Sequence, residues 1–451
     1  MKRGELLRVK IEHLGPDGNG EIVIDDRKIS VKGALPGDTI DLRINAVKRS
    51  SARGKIENLV ESEIERRSAK CSHFNTCGGC RWQDVDYTIQ LELKTGIVRN
   101  GLADIPGLEI PSDISVVPSP DEFFFRNKME FSFDSPPRLE GKVLLGLHET
   151  GRYDSVFDLE TCYLQSELSN KIVTAAREFV RDNELNAYGL KSHVGLLRYL
   201  MIRDGKASGD LMINVVTSGE DFPLADDFAA FMHERVPEAS TVMRSINDSK
   251  GGVTYGESRE VLYGEGTITE KIGDCEFRIS PDSFFQTNPR QTTALYDCIK
   301  EFARIDGSDR LLDLYCGTGT IGIYLAGAAK EVAGIEMVED AVRDAEVNAR
   351  LNNVDNVTFT AGLVEKMLDE SHGVYDVVVC DPPRVGIHPK ALARLLELRI
   401  PRMVYVSCNI KALPKDLEML AMAGYKVTGV KSFDMSPHTA HVETVVGLEI
   451  G

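Results

Sequence analysis

The sequence predicts a multidomain α/β protein. Its parts are an N-terminal OB-like β-barrel (residues 1–60), a central α+β domain (61–272) and a C-terminal domain on a doubly wound parallel sheet (273–451). Three observations carry this. A chain of 451 residues holds two or three domains, and 42% hydrophobic content supplies their cores. The first sixty residues alternate with period two between Gly- and Pro-rich turns, as short strands do. From residue 273 apolar strands alternate with helical stretches, the signature of a parallel sheet covered on both faces.

In order, LLRVKIEHL, GEIVIDD, RKISVKGAL, DTIDLRINAVK and ARGKIENLV read as strands, with turns at GPDGNG and LPGD. The middle region opens on CSHFNTCGGCRWQ, runs through a helical stretch (DYTIQLELKTGIVRNGLADI), and mixes strands such as KVLLGLHET and DLMINVV with the helix NKIVTAAREFVRDN. The last region reads RLLDLYCGTGTIGIYLA, EVAGIEMVEDAVRDAEVNARLN, VTFTAG, YDVVVCDPPR, RMVYVSCN, KVTGVKSFDM and HVETVVGLEI. Its final two strands are joined by a loop alone, so the sheet is expected to end in an antiparallel hairpin at its edge. This is the outline of a class I methyltransferase.

The net charge of −17 is unevenly spread. Residues 1–70 hold 15 Lys and Arg against 12 Asp and Glu, so a polyanionic partner stays open at that end of the chain. No apolar run approaches a membrane span, and MKRGELLRVKIEHLG lacks the apolar stretch of a signal peptide. A cytoplasmic protein is expected. Nine cysteines, three of them within ten residues from Cys71 to Cys80, then argue for metal binding or catalysis before disulfides. Thiolate spacing alone leaves zinc and iron-sulfur equally open.

Strand LLDLY turns through CGTGT into a helix, where glycines let the backbone approach a ligand. Glu336 closes the next strand, 23 residues after Asp313, where a carboxylate can accept from both hydroxyls of a ribose. No diphosphate is required, which suits S-adenosylmethionine as well as a dinucleotide. Asp381 stands at the mouth of the next strand in DPPR, on a loop stiffened by two prolines. Cys408 follows strand MVYVS at the same mouth, and Glu443 enters an apolar strand two residues after His441, an expensive place for an idle carboxylate. The remaining cysteines, Cys275, Cys298, Cys316 and Cys380, read as small buried hydrophobes.

A thiol, a carboxylate and a methyl donor fit one reaction. C5 of uracil is too poor a nucleophile for a sulfonium methyl until a thiolate adds at C6. Cys408 is the candidate for that addition, and Glu443 for removing the C5 proton so that the cysteine is expelled.

ISPDSFFQTN, LLDLYCGTG, VAGIE, DPPR, YVSCN and DMSPHTAHVE, with LLRYLMIRDG upstream, resemble in order the RNA uracil-5-methyltransferase family, in particular its bacterial branch acting on 23S ribosomal RNA. The first sixty residues resemble the TRAM domain, an RNA-binding module. The resemblance implies contacts of Gln286, Tyr315, Glu336 and Asp381 with S-adenosylmethionine, Cys408 as nucleophile and Glu443 as base. It further implies a [4Fe-4S] cluster on Cys71, Cys77, Cys80 and Cys162, the last within GRYDSVFDLETCYLQ, and a monomer acting on RNA. Trp82 is expected to pack beside the cluster, which is read as a staple for the central domain. Ile410 stands where the family often has proline, and Thr320 where some members have asparagine. Arg126 and Lys128 in FFFRNKMEF are weaker candidates for RNA contact, with a solvated strand face as the alternative.

Overall fold

Six strands form from the alternating N-terminal stretch, in the order Leu6–Lys10, Thr39–Val47, Ser51–Glu61, Arg27–Val31, Gly20–Ile24 and His13–Leu14. In this computed structural model, which describes all residues except 104, 137–138, 140–141, 253–255 and 370–373, the sheet wraps a core of its own. Ile11, Ile22, Ile29, Val31, Ile40, Leu42 and Ile44 fill it. The expected barrel is not closed: Leu6–Lys10 and His13–Leu14 lie at opposite ends of the sheet and do not pair among the described residues. The physical reason is length, because a two-residue strand offers almost no ladder to the five-residue strand just before it. Leu14 and Leu35 face outward into a second core, the one beneath the C-terminal sheet.

The central region builds a seven-stranded mixed sheet in the order Arg152–Asp158, Leu144–Glu149, Lys128–Asp134, Leu197–Asp204, Leu211–Thr217, Thr241–Ile246 and Ser258–Tyr263. Two helices cover it. Glu167–Asp182 begins at a Ser166–Ser169 capping box, which satisfies helix-start N–H groups, and it buries Ile172, Ala176 and Phe179 with Phe228 of Ala225–Arg235. The helix from the DYTIQ stretch, Tyr87–Leu102, goes elsewhere. It is capped by Asp86 and packs Leu93, Ile97, Val98 and Leu102 against Leu312, Val378, Met403 and Tyr405 of the C-terminal sheet.

The C-terminal sheet has eight strands, in the order Val357–Ala361, Glu331–Glu336, Arg310–Leu314, Val377–Cys380, Arg402–Ser407, Glu443–Ile450, Tyr425–Phe433 and Val116–Val117. The first five are parallel. The expected antiparallel hairpin is present, but its last strand lies inside and its first strand outside. The hairpin does not end the sheet either, since Val116–Val117 adds a parallel strand beyond it. No helix among the described residues is long and apolar enough to cross a membrane.

Candidate active site

The loop after Arg310–Leu314 has to turn sharply. Tyr315, Gly317 and Gly319 all take positive φ (63°, 54° and 77°), a region that costs a side chain strain but not glycine. A Cβ on Gly319 would meet Phe359 at 2.6 Å and Ala345 at 2.9 Å, so only glycine fits there. Behind this turn the buried Asp313 accepts from the Gly322 N–H at 2.9 Å. Glu336 closes the next strand and accepts from Gly317 N–H at 3.1 Å and Val338 N–H at 2.9 Å, which aims its carboxylate along the glycine loop.

Strand register also sets Cys408 and Glu443. Arg402–Ser407 runs antiparallel to Glu443–Ile450 with Ser407 opposite Thr444, so Cys408 and Glu443, the next residue on each side of that last pair, come to the same end of the sheet. Asn409 fixes the turn: its Nδ2 donates to the Arg384 carbonyl at 2.6 Å, tying the DPPR loop to the loop that carries Cys408. Asp381 faces the same space and accepts a long 3.5 Å contact from Gln286 Nε2. Gln286, Tyr315, Glu336, Asp381, Cys408 and Glu443 line a single cleft of about 1340 Å³, with Arg384 and His441 at its wall.

Charge in this cleft holds the thiol in reserve. Burial first, then the Glu443 and Asp381 carboxylates, push the Cys408 thiol up to about 11, while Arg384 acts the other way. Burial also pushes Asp381 up, and burial together with Asp381 pushes Glu443 well above the usual carboxylate range.

Sequence reasoning missed the residues that hold Gln286. Arg203 is 1% exposed and donates from Nε to the Pro281 carbonyl at 3.1 Å and from its guanidinium to the Ser283 carbonyl. Asn127 donates from Nδ2 to the Gln286 carbonyl at 2.8 Å and from its backbone N–H to Thr287 at 3.0 Å. A central-sheet strand thus grips the 281–287 loop. The signal was a cation inside the apolar strand LLRYLMIRDG, where burial demands partners.

Cys71, Cys77, Cys80 and Cys162 are brought together as the lining of a second cavity of about 790 Å³. Thr150 ties the loop down, donating from N–H to Thr76 and from its hydroxyl to Cys77. Asn170 brackets Cys162, accepting its N–H at 2.7 Å and donating to its carbonyl at 2.9 Å. Two sulfurs accept N–H donors at 3.3 Å, Cys77 from Gly79 and Cys80 from Gln83 Nε2. Burial pushes the Cys77 thiol up, Cys80 to about 12 and Cys162 to about 11, with the neighbouring sulfurs adding to the effect. Among the described residues, no group of three or more His, Cys, Asp or Glu is arranged to hold a metal ion.

Other expectations change. Trp82 is 2% exposed but packs with Leu14, Leu35 and Val442 in the C-terminal core and does not line the cysteine cavity. Arg126 lines both cavities, while Lys128 pairs with Glu130 at 2.6 Å. Cys298, Cys316 and Cys380 are buried as expected, and Cys275 is half-exposed.

Comparison with known proteins agrees with this arrangement. Residues 262–450 match the tRNA (Uracil-5-)-methyltransferase family, and residues 1–56 match the TRAM domain. An uncharacterized RNA methyltransferase of Chlorobaculum tepidum is 38% identical over 99% of this chain and 97% of its own length. One from Caldanaerobacter subterraneus is 37% identical with both chains covered in full. Among solved structures, the Pyrococcus abyssi tRNA (uracil-54, C5)-methyltransferase in complex with S-adenosyl-L-homocysteine superposes with a TM-score of 0.77 at 30% identity, covering 98% of this chain and 100% of that one. A glycine turn beside the Glu336 carboxylate, joined to a full-length match with enzymes of this kind, leads to one conclusion: the chain belongs to the RNA uracil-5-methyltransferase family and is an S-adenosylmethionine-dependent RNA (uracil-5-)-methyltransferase.

Proposed function

We propose that the chain methylates C5 of a uridine in 23S ribosomal RNA through a covalent adduct. The observation that carries the chemistry is that Cys408 and Glu443 line the same cleft as Gln286, Tyr315, Glu336 and Asp381. S-adenosylmethionine supplies an electrophilic methyl on a sulfonium sulfur. Gln286, Tyr315, Glu336 and Asp381 bind it, Glu336 taking the ribose hydroxyls. The Cys408 thiolate adds to C6 of a uridine swung out of its stack, and the electron pair released at C5 takes the methyl. Glu443 then removes the C5 proton, and the Sγ–C6 bond breaks to restore the ring. Burial first, and then two facing carboxylates, hold the Cys408 thiol up, and positive charge brought in beside Asp381 favours its thiolate.

The test is RNA substituted with 5-fluorouridine, whose C5 fluorine cannot leave as a proton. A stable protein–RNA adduct that forms with wild-type chain and vanishes in Cys408→Ala supports the mechanism. An adduct surviving the substitution overturns it, as does an amino-methylated product.

A second substrate reading, transfer RNA, is favoured by the end-to-end match to the Pyrococcus abyssi enzyme, which spans the TRAM segment too. Methylating unmodified 23S and transfer RNA transcripts side by side, with the product located by mass spectrometry, decides between them. We read the protein as a monomer acting in the cytoplasm.

The cysteine quartet fits a [4Fe-4S] cluster held by Cys71, Cys77, Cys80 and Cys162. A single zinc needs its sulfurs about 2.3 Å from one point, whereas a cluster takes one thiolate on each of four irons, and the four cysteines line one cavity. N–H donors on Cys77 and Cys80 suit sulfurs carrying negative charge. Iron and sulfide in a 1:1 ratio, lost on Cys162→Ala, is the expected assay result; stoichiometric zinc instead overturns it.

A further inference from the structure

The glycine turn of the N-terminal sheet, residues 15–20, lies against both catalytic loops. Gly18 has φ +69°, and a Cβ built on it would lie 2.1 Å from the Ala440 Cβ and 3.6 Å from Trp82 Cζ2. Ala440 sits three residues before Glu443, in the turn whose Ser436, Thr439 and His441 line the cleft. Asp17 reaches the other loop. Its carboxylate is 3.5 Å from Lys411 Nζ, three residues after Cys408, and Lys411 N–H donates to Asn409 Oδ1 at 3.1 Å. The Asp17 carbonyl accepts from Arg81 at 2.9 Å. Arg81 and Trp82 in turn donate their backbone N–H groups to the His438 carbonyl at 2.8 and 3.1 Å.

From below, the same turn is already fixed. Lys94 and Asp434, both fully buried, pair at 2.5 Å, and Lys94 also donates to the Ser436 carbonyl. Gln90 accepts the His438 N–H and donates to Trp82 and Val85 carbonyls. With its floor set by that network, the 436–441 turn presents the small side chain of Ala440 to Gly18 of the N-terminal sheet.

We propose that the Asp17–Gly18 turn is a positioning element for the methyl-transfer site. It sets the height of the 436–441 turn, and hence of Glu443, while Asp17 steadies the loop carrying Cys408. The N-terminal sheet is then part of the catalytic scaffold as well as a contact for RNA, and residue 18 must be glycine because no side chain fits under Ala440. This rests on the reading of Cys408 and Glu443 as the reacting pair.

Carbon atoms in contact prefer about 3.5–4.0 Å, so Gly18→Ala forces Ala440 outward by more than 1 Å. Misplacement on that scale costs roughly 10²-fold in rate. Methyl transfer is measured with full-length chain, methyl-tritiated S-adenosylmethionine and bulk RNA from cells lacking this chain's gene. Gly18→Ala should lower kcat by about 10²-fold, leave KM for RNA essentially unchanged, and accumulate covalent adduct because elimination is slowed. Adding Ala440→Gly should return kcat to that of the Ala440→Gly single variant. Unchanged kcat, a loss confined to KM, or failure of Ala440→Gly to rescue overturns the proposal. Should Gly18→Ala not fold, Lys411→Met tests the second contact: a several-fold fall in kcat at constant KM supports it, and a change in KM alone overturns it. If wild-type chain transfers no methyl, the proposed function fails; if it does and the variants behave as wild type, only this inference fails.

Discussion

The cysteine quartet and the lone Cys408 lie in adjoining cavities that share Gly79, Arg126, Leu164 and Phe284 in their walls. Burial raises the thiols in both, yet what surrounds them differs. In the quartet the opposing charges are the other sulfurs, and a metal centre would relieve all of them together. Around Cys408 they are carboxylates, offset by Arg384 alone. A thiol is given its chemistry by its neighbours, and on the proposed reading the densest group of cysteines in the chain is structural and the lone one reacts.

Breaking each side should separate these roles. Cys408→Ala should abolish turnover, by at least roughly 10³-fold, with an unchanged melting midpoint. Cys162→Ala should do the reverse, costing about 1–3 kcal/mol of stability while its folded fraction still forms adduct on 5-fluorouridine RNA. If Cys162→Ala kept full stability but lost adduct formation, the contrast would collapse.

Glu443→Gln should slow turnover by about 10²–10⁴-fold and accumulate adduct on ordinary RNA, seen as a shifted band on a denaturing gel. Absence of that band removes Glu443 from the elimination step.

His438 lies at the seam between the two regions, 2% exposed, with burial pushing it down to about 4 from its usual 6.5. A base held neutral in the fold stabilises it above the unfolded pKa. That contribution disappears as pH falls from 6.5 towards 4, at most about 3 kcal/mol. Urea unfolding at a series of pH values should show this loss in wild type and a shallower one in His438→Gln; equal slopes would reject it.

The smallest effect is on alkylation of Cys408 by iodoacetamide, followed by peptide mass spectrometry. Glu443→Gln removes a facing carboxylate, so the rate should rise by roughly three- to fourfold for each unit by which the thiol's pKa falls, the larger thiolate fraction being partly offset by its lower nucleophilicity. The quartet should be indifferent to that substitution.

Much of the site could be read from residues at strand ends. Asp381 and Cys408 follow directly on parallel strands, where open sheets place their ligands, and Glu336 closes another. Glu443 could be named from its cost in an apolar strand, but the pairing of its strand with the one that leads into Cys408 could not, because that depends on the last strand inserting inside the hairpin. The grip of Arg203 and Asn127 on the Gln286 loop was equally hidden, since these contacts join residues 78 and 159 positions apart. Trp82 misled because sequence neighbours of a cysteine loop need not face it; it packs in the core that holds Leu14, Leu35 and Val442. The barrel failed on the length of one two-residue strand, which periodicity does not resolve.

Val116–Val117 is the shortest strand of the C-terminal sheet, pairing with Ser432 and Phe433 at the outer edge. The Val117 carbonyl also accepts from Asp434 N–H at 3.0 Å and Gln291 Nε2 at 3.1 Å, which fastens this strap over the edge beside the 436–441 turn. An uncovered edge strand is a template for pairing with another chain. A fragment beginning at residue 262, where the family match starts, leaves the strap behind along with the Tyr87–Leu102 helix, and so exposes both a pairing edge and an apolar face. Such a fragment should come out of expression as aggregates, and residues 84–118 are the part of the chain whose return would keep it monodisperse.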